Sequence, residues 1–169
     1  DLRVELMRAA LRGHAQFGVN DIERTLPVPS VTVHTLEAMA RKEPNVDRYF
    51  LLGDREFLRL HKWHRGGDVV KLSHISIACR TEFDLEAFAC AVADAWPECR
   101  RVDPPEGALM AFELMPGRRA VLLPLPRIDI SLSSCAIESV GYATWMISPP
   151  RKKGETSCWR GDIISIRQI

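Results

Sequence analysis

With 169 residues, the chain is long enough for one domain with a real core, and its 46% hydrophobic and 27% charged residues fit a water-soluble globular protein. A formal net charge of +1 gives no general pull toward nucleic acid or an anionic membrane, so neither is expected as a partner. No apolar run is long enough to span a bilayer and no leader pattern opens the chain, so a cytoplasmic location is expected.

Leu2 to Leu11 places Val4, Met7 and Leu11 at helical spacing, and Gly13 is a stop signal. Phe17 to Ile22 alternates like a short strand, and the proline-rich Leu26 to Ser30 reads as loop. Ser30 or Thr32 is expected to cap a helix running through Arg41, with Leu36, Met39 and Ala40 on one face. "RYFLLGD" at Arg48 to Asp54 fits a buried strand of a parallel sheet, with a short helix after it from Glu56 to Leu60. "HISIAC" at His74 to Cys79 is a second such strand. Asp84 to Trp96 carries the strongest helical period, through Leu85, Phe88, Val92 and Ala95, and Pro97 ends it. Val102 to Gly107 reads as loop, Ala108 to Leu114 as strand or helix, and Ala120 to Leu125 as strand. This alternation predicts an α/β layered domain with a mostly parallel sheet. The stretch from Tyr142 to Ile169 has no clear period and is expected to be an irregular tail.

The five cysteines, Cys79, Cys90, Cys99, Cys135 and Cys158, form no C-x-x-C pair. They read as thiols of a reducing compartment, not as a disulfide frame or a zinc site. The five histidines show no H-E-x-x-H or other metal spacing, and no G-x-S-x-G is present, so no resident metal and no serine nucleophile are expected.

Ligands of open α/β sheets bind at the carboxyl ends of the strands, which directs attention to four places. These are Ser30-Val31-Thr32-Val33-His34-Thr35-Leu36, the Gly53-Asp54 turn with the Lys62-Trp63 segment, the strand ending at Arg80, and "RIDISLSSCAIES". In this order they resemble motifs of the bacterial nicotinate-nucleotide adenylyltransferase family: S-Y-T-x-x-T-L, a strand with a Gly-x-Asp turn and Lys-Trp, a strand ending in arginine, and I-S-S-T-x-I-R. The resemblance covers residues 1–139 as the later part of a nucleotidyltransferase domain, with residues 140–169 as the tail.

The resemblance implies a Rossmann-like three-layer nucleotidyltransferase fold without its first strand-helix element. The implied activity is adenylyl transfer from ATP to nicotinate mononucleotide in NAD biosynthesis, giving nicotinate adenine dinucleotide and pyrophosphate. ATP and nicotinate mononucleotide are the implied partners, and Mg2+ is expected with ATP. Substrate contacts are implied for Thr32, Thr35, Trp63, His64 and Arg80, and ATP contacts for Gly53, Asp54, Ser133 and Ser134.

Each of these residues also has an ordinary structural use. Trp63 is either a stacking platform for a pyridine ring or a partly buried loop aromatic. Thr32 and Thr35 serve a mononucleotide or a helix start, and the two uses are compatible. Gly53 and Asp54 mark either a nucleotide approach or a turn. Arg80 is either a phosphate contact or a solvated surface arginine. Ser133 and Ser134 sit where a helix start suits phosphate or merely begins a helix.

The chain departs from the family pattern at Val31, His34, Arg55, Cys135 and Glu138, which stand where tyrosine, an acid, an acid, threonine and arginine are usual. The family's H-x-G-H, which stabilises charge on the ATP phosphates, is not among the 169 residues. No catalytic residue is therefore assigned, and the chain by itself is expected to make no product. Two alternatives remain open: a non-catalytic nucleotide-binding module of the same fold, or another adenylyltransferase, such as one for pantetheine phosphate.

Overall fold

The structure is a computed structural model that describes residues 2–79, 84–125, 143–144 and 166–167. Helix α1 spans Leu2–Ala10 and turns Val4 inward, with Met7 and Leu11 half-covered beside it. Gly13, at φ 84, takes the left-handed turn that ends this segment, a conformation open to glycine without a Cβ penalty.

The strand expected over Phe17 to Ile22 is not formed. The Phe17 N–H donates to the His14 carbonyl at 2.9 Å, and the Asn20 side chain accepts from the Ile22 N–H at 3.1 Å. These local bonds give the backbone a turn in place of a ladder, and a 3-10 turn follows over Ile22–Thr25.

Helix α2, Thr32–Lys42, buries Leu36 and Met39 as expected and Val33 with them, while Ala40 is only half-buried. The expected cap is not there. Val31 occupies the cap position in extended conformation, and no side chain caps the helix. Thr32 is already helical and turns inward, so its hydroxyl is not at the capping position. The other end is closed by Arg48, whose guanidinium donates to the carbonyls of Met39 (2.8 Å), Val46 (3.0 Å) and Glu43. A buried arginine that takes up such orphan carbonyls fixes the exit of α2 to the entry of the sheet.

Strand β1, Tyr49–Gly53, leads directly into the short helix α3, Asp54–Arg59, and a 3-10 turn over Leu60–Lys62. Helix α4, Gly66–Leu72, was not anticipated from its sequence and connects to β2, His74–Cys79. Helix α5, Leu85–Ala95, starts where expected. The Asp84 carboxylate accepts from the Glu86 and Ala87 N–H groups at 3.1 and 3.0 Å, a cap that contributes about 1 kcal/mol. Strands β3 (Arg100–Val102), β4 (Met110–Met115) and β5 (Arg118–Pro124) follow. The ambiguous Ala108 to Leu114 stretch thus resolves as strand, because Met110, Phe112 and Leu114 pack into the core from β4.

The sheet order is β1-β2-β5-β4-β3. β1, β2 and β5 pair in parallel, while β4 pairs antiparallel with both β5 and β3. Four of these five strands therefore point the same way and only β4 is reversed, which meets the expectation of a mostly parallel sheet. Phe50, Ile75, Ile77, Ala120 and Leu122 from the parallel strands join Val33, Leu36, Phe57, Leu60 and Val69 from the helices in one core. Complete burial of each large apolar side chain contributes about 1.5–3 kcal/mol. Two further short strands, β6 (Ala143–Thr144) and β7 (Ile166–Arg167), pair antiparallel. The expected boundary at residue 139 and most of the expected tail lie outside the described residues.

No helix among the described residues is long and apolar enough to cross a membrane. Cys90 and Cys99 are free thiols and Cys79 is buried at the end of β2, while Cys135 and Cys158 lie outside the described residues.

Candidate active site

The three parallel strands finish level. Gly53 is in register with Ala78, and Cys79 with Pro124. Their carboxyl ends form the edge at which an open α/β sheet binds ligands. Gly53 is extended, at φ −73 and ψ 159, a conformation any residue adopts, so its backbone does not demand glycine. Asp54 begins α3 beside it, half-buried, and forms no ion pair among the described residues. Arg80, after β2, and Ser133 and Ser134, beyond β5, lie outside the described residues.

Helices α2 and α4 both run back from this edge. Arg48 ties the end of α2 to the start of β1, and the His74 N–H donates to the Arg48 carbonyl at 2.7 Å just after α4 ends. The first turns of the two helices consequently lie side by side on the carboxyl side of the sheet. Glu37 of α2 meets Arg65, immediately before α4, at 2.7 Å. The His34 and His64 rings face edge to face-on, with centroids 6.1 Å apart and planes at 75°. The two motif segments, far apart in sequence, are thus neighbours in space.

Within this cluster the side chains divide by burial. Thr32 and Thr35 are 3% and 1% exposed, and the Thr35 hydroxyl donates to the Glu23 carboxylate at 3.0 Å. That bond fastens the 3-10 turn to α2 and gives Thr35 a structural task. The Ser30 hydroxyl oxygen, just ahead of α2, is buried without a hydrogen-bond partner among the described residues. Trp63 is half-buried, its ring nearly perpendicular to that of Phe50 of β1. His64 is exposed. The Trp63 N–H donates to the Leu60 carbonyl and the Trp63 carbonyl accepts from the Gly66 N–H, each at 3.0 Å.

Ion pairs frame the turn after Trp63. Arg65 donates to Glu37 and, at 2.8 Å, to Asp68, whose second oxygen accepts from Lys71 at 2.8 Å. The Lys71 and Arg65 bonds hold the Asp68 carboxyl below its ordinary range, and the Asp68 and Glu37 bonds raise Arg65. Glu23, Glu37 and Arg65 were not singled out from sequence. The opposite charges of Glu37 and Arg65 were legible there, but their 28-residue separation gave no reason to pair them.

Among the described residues, no group of three or more His, Cys, Asp or Glu side chains is placed to hold a metal ion. Magnesium needs no such cage when it arrives on nucleotide phosphates, since one or two carboxylates then suffice. Asp54 places one carboxylate at the end of β1.

Fold and site together define an open-sheet, Rossmann-like α/β protein with its candidate site at the carboxyl ends of the parallel strands. The sequence relatives give the kinship. The chain is 33% identical over 120 residues to a protein named "Probable nicotinate-nucleotide adenylyltransferase" from Laribacter hongkongensis, a match over 68% of this chain and 54% of that protein. Proteins of the same name from Yersinia enterocolitica and Dechloromonas aromatica are 30% identical over 131 residues and 31% over 121. Those matches take in 76% and 66% of this chain, and 57% and 56% of the relatives. The chain is therefore a relative of the bacterial nicotinate-nucleotide adenylyltransferases, and it spans about half the length of the curated relatives it matches. No protein-family model matches the chain.

Proposed function

We propose that this chain carries the mononucleotide-binding part of a nicotinate-nucleotide adenylyltransferase. The whole reaction is attack of the nicotinate mononucleotide phosphate on the α-phosphorus of ATP, which forms nicotinate adenine dinucleotide and expels pyrophosphate. Such chemistry depends on positioning and charge neutralisation more than on covalent catalysis.

The observation that carries this reading is the meeting of the two substrate-side segments. His34 and His64 lie 6.1 Å apart, and Glu37 and Arg65 are joined at 2.7 Å. In this reading the exposed part of Trp63 stacks on the pyridine ring. The Trp63 amide is taken by Leu60, so contact with the nicotinate carboxylate falls to the His64 amide. The backbone of the opening turn of α2 at Thr32 is assigned to the mononucleotide, the Thr32 side chain being buried beneath it. Thr35 supports that turn through Glu23. Gly53 and Asp54 serve the nucleotide at the end of β1, with Asp54 toward the magnesium that ATP brings. Arg80, Ser133 and Ser134 are assigned to phosphate contacts by resemblance alone.

The H-x-G-H that would stabilise charge on the ATP phosphates is not in these 169 residues. The chain by itself is accordingly assigned binding without turnover. The test is calorimetric titration with nicotinate mononucleotide and with nicotinamide mononucleotide, beside a pyrophosphate-release assay with ATP. Binding that favours the nicotinate form, with no pyrophosphate above background, is expected. Equal or absent binding of the two mononucleotides would overturn the substrate assignment, and pyrophosphate release would overturn the assignment of binding alone.

A further inference from the structure

Arg65 is the non-glycine residue with positive φ among the described residues, at φ 53 and ψ 40. A residue with a Cβ enters this region only when its surroundings hold it there. The restraints are visible on both sides. The Arg65 carbonyl accepts from the Asp68 and Val69 N–H groups at 2.9 and 3.3 Å, which starts α4. Its guanidinium divides between two carboxylates, Nη2 to Glu37 at 2.7 Å and Nε to Asp68 at 2.8 Å. Behind it, Gly66 lies so close to the preceding turn that a Cβ there would stand 2.0 Å from the Leu60 carbonyl oxygen. The turn over residues 63–66 is thus pressed onto its own chain at one end. Across to α2, the Arg65–Glu37 bond is the ion pair that holds it among the described residues.

We propose that Arg65 is a positioning residue. It touches no substrate, and its bridge to Glu37 holds Trp63 and His64 against the opening turns of α2, so that both segments face one mononucleotide. This rests on the functional reading above. The planar fork explains why arginine suits the place, since one side chain must satisfy carboxylates on two elements in fixed directions.

The test uses the full 169-residue chain as Arg65→Ala, Glu37→Gln, the double variant and Arg65→Lys. Amide hydrogen exchange is read without ligand, and nicotinate mononucleotide affinity by calorimetry. Arg65→Ala and Glu37→Gln are each expected to speed exchange over residues 63–66 by about fivefold or more and leave β2 and β5 unchanged. Each should weaken mononucleotide binding about tenfold, with the double variant no worse than Arg65→Ala and Arg65→Lys recovering part of the loss. Unchanged exchange over residues 63–66, or faster exchange spread equally through the sheet, overturns the proposal. So does faster local exchange with undiminished binding. If the unsubstituted chain binds no nicotinate mononucleotide while local exchange still responds, the lock stands and the substrate reading falls.

Discussion

The Trp63 and Phe50 rings pack nearly perpendicular, with centroids 6.2 Å apart and planes at 72°. One side of Trp63 is therefore committed to the core of the sheet, and the rest is available at its surface. Edge-to-face contacts of this kind contribute about 0.5–1.5 kcal/mol beyond the area they bury. Trp63→Phe should keep most of that contact and cost about 1 kcal/mol or less in urea unfolding. On the proposed function the smaller ring stacks less well, and mononucleotide affinity should fall about five- to tenfold by titration. Undiminished affinity would remove Trp63 from the site.

The Thr35 hydroxyl donates to Glu23 at 3.0 Å from a side chain only 1% exposed. Thr35→Val keeps the shape and deletes the donor. A loss of about 1–2 kcal/mol in chemical unfolding is expected, with the 3-10 turn at Ile22–Thr25 loosened first. If stability holds and only mononucleotide binding is lost, Thr35 contacts the ligand and is not the support assigned here.

Gly66 has no room for a methyl group, because its Cβ would lie 2.0 Å from a backbone oxygen. Backbone cannot swing aside as a flexible side chain can. Gly66→Ala should therefore destabilise the chain by about 3 kcal/mol or more, whereas Gly67→Ala, where the added Cβ meets nothing within 4 Å, should change stability by less than about 1 kcal/mol. Similar melting temperatures for the two variants would refute the close approach.

His74 is pushed below its ordinary pKa by burial and by the nearby Arg118, with Asp47 opposing. Its Nδ1 also accepts the Arg119 N–H at 3.2 Å, which requires an unprotonated nitrogen there. The folded chain therefore binds this proton less readily than the unfolded chain does. Stability from His74 is full above the unfolded value, about 6.5, and falls as pH drops from there toward the lowered folded value. Melting curves from pH 7.5 to 5 should show this decline, and His74→Gln should flatten it. An unchanged slope in the variant would assign the decline to another group.

The periodic segments were readable from the chain itself. Apolar runs at "YFLLG" and "HISIAC", and the helical period from Leu85 to Ala95, depend on residues close in sequence, and all three elements form within a residue or two of their expected limits. The order of the motif segments likewise pointed to kinship with nicotinate-nucleotide adenylyltransferases, and the relatives bear that out. Alternation failed over Phe17 to Ile22 because a strand needs a partner, and local bonds to the Asn20 side chain and the His14 carbonyl offered the backbone another course. Thr32 looked like a cap by residue type, but the path of the chain turned it inward. Tertiary structure alone decided that the α2 and α4 openings meet, that Thr35 finds Glu23 and that Arg65 finds Glu37. The physical reason is range: periodicity and turn chemistry act over a few residues, whereas these contacts follow from packing two helices back along the same parallel strands.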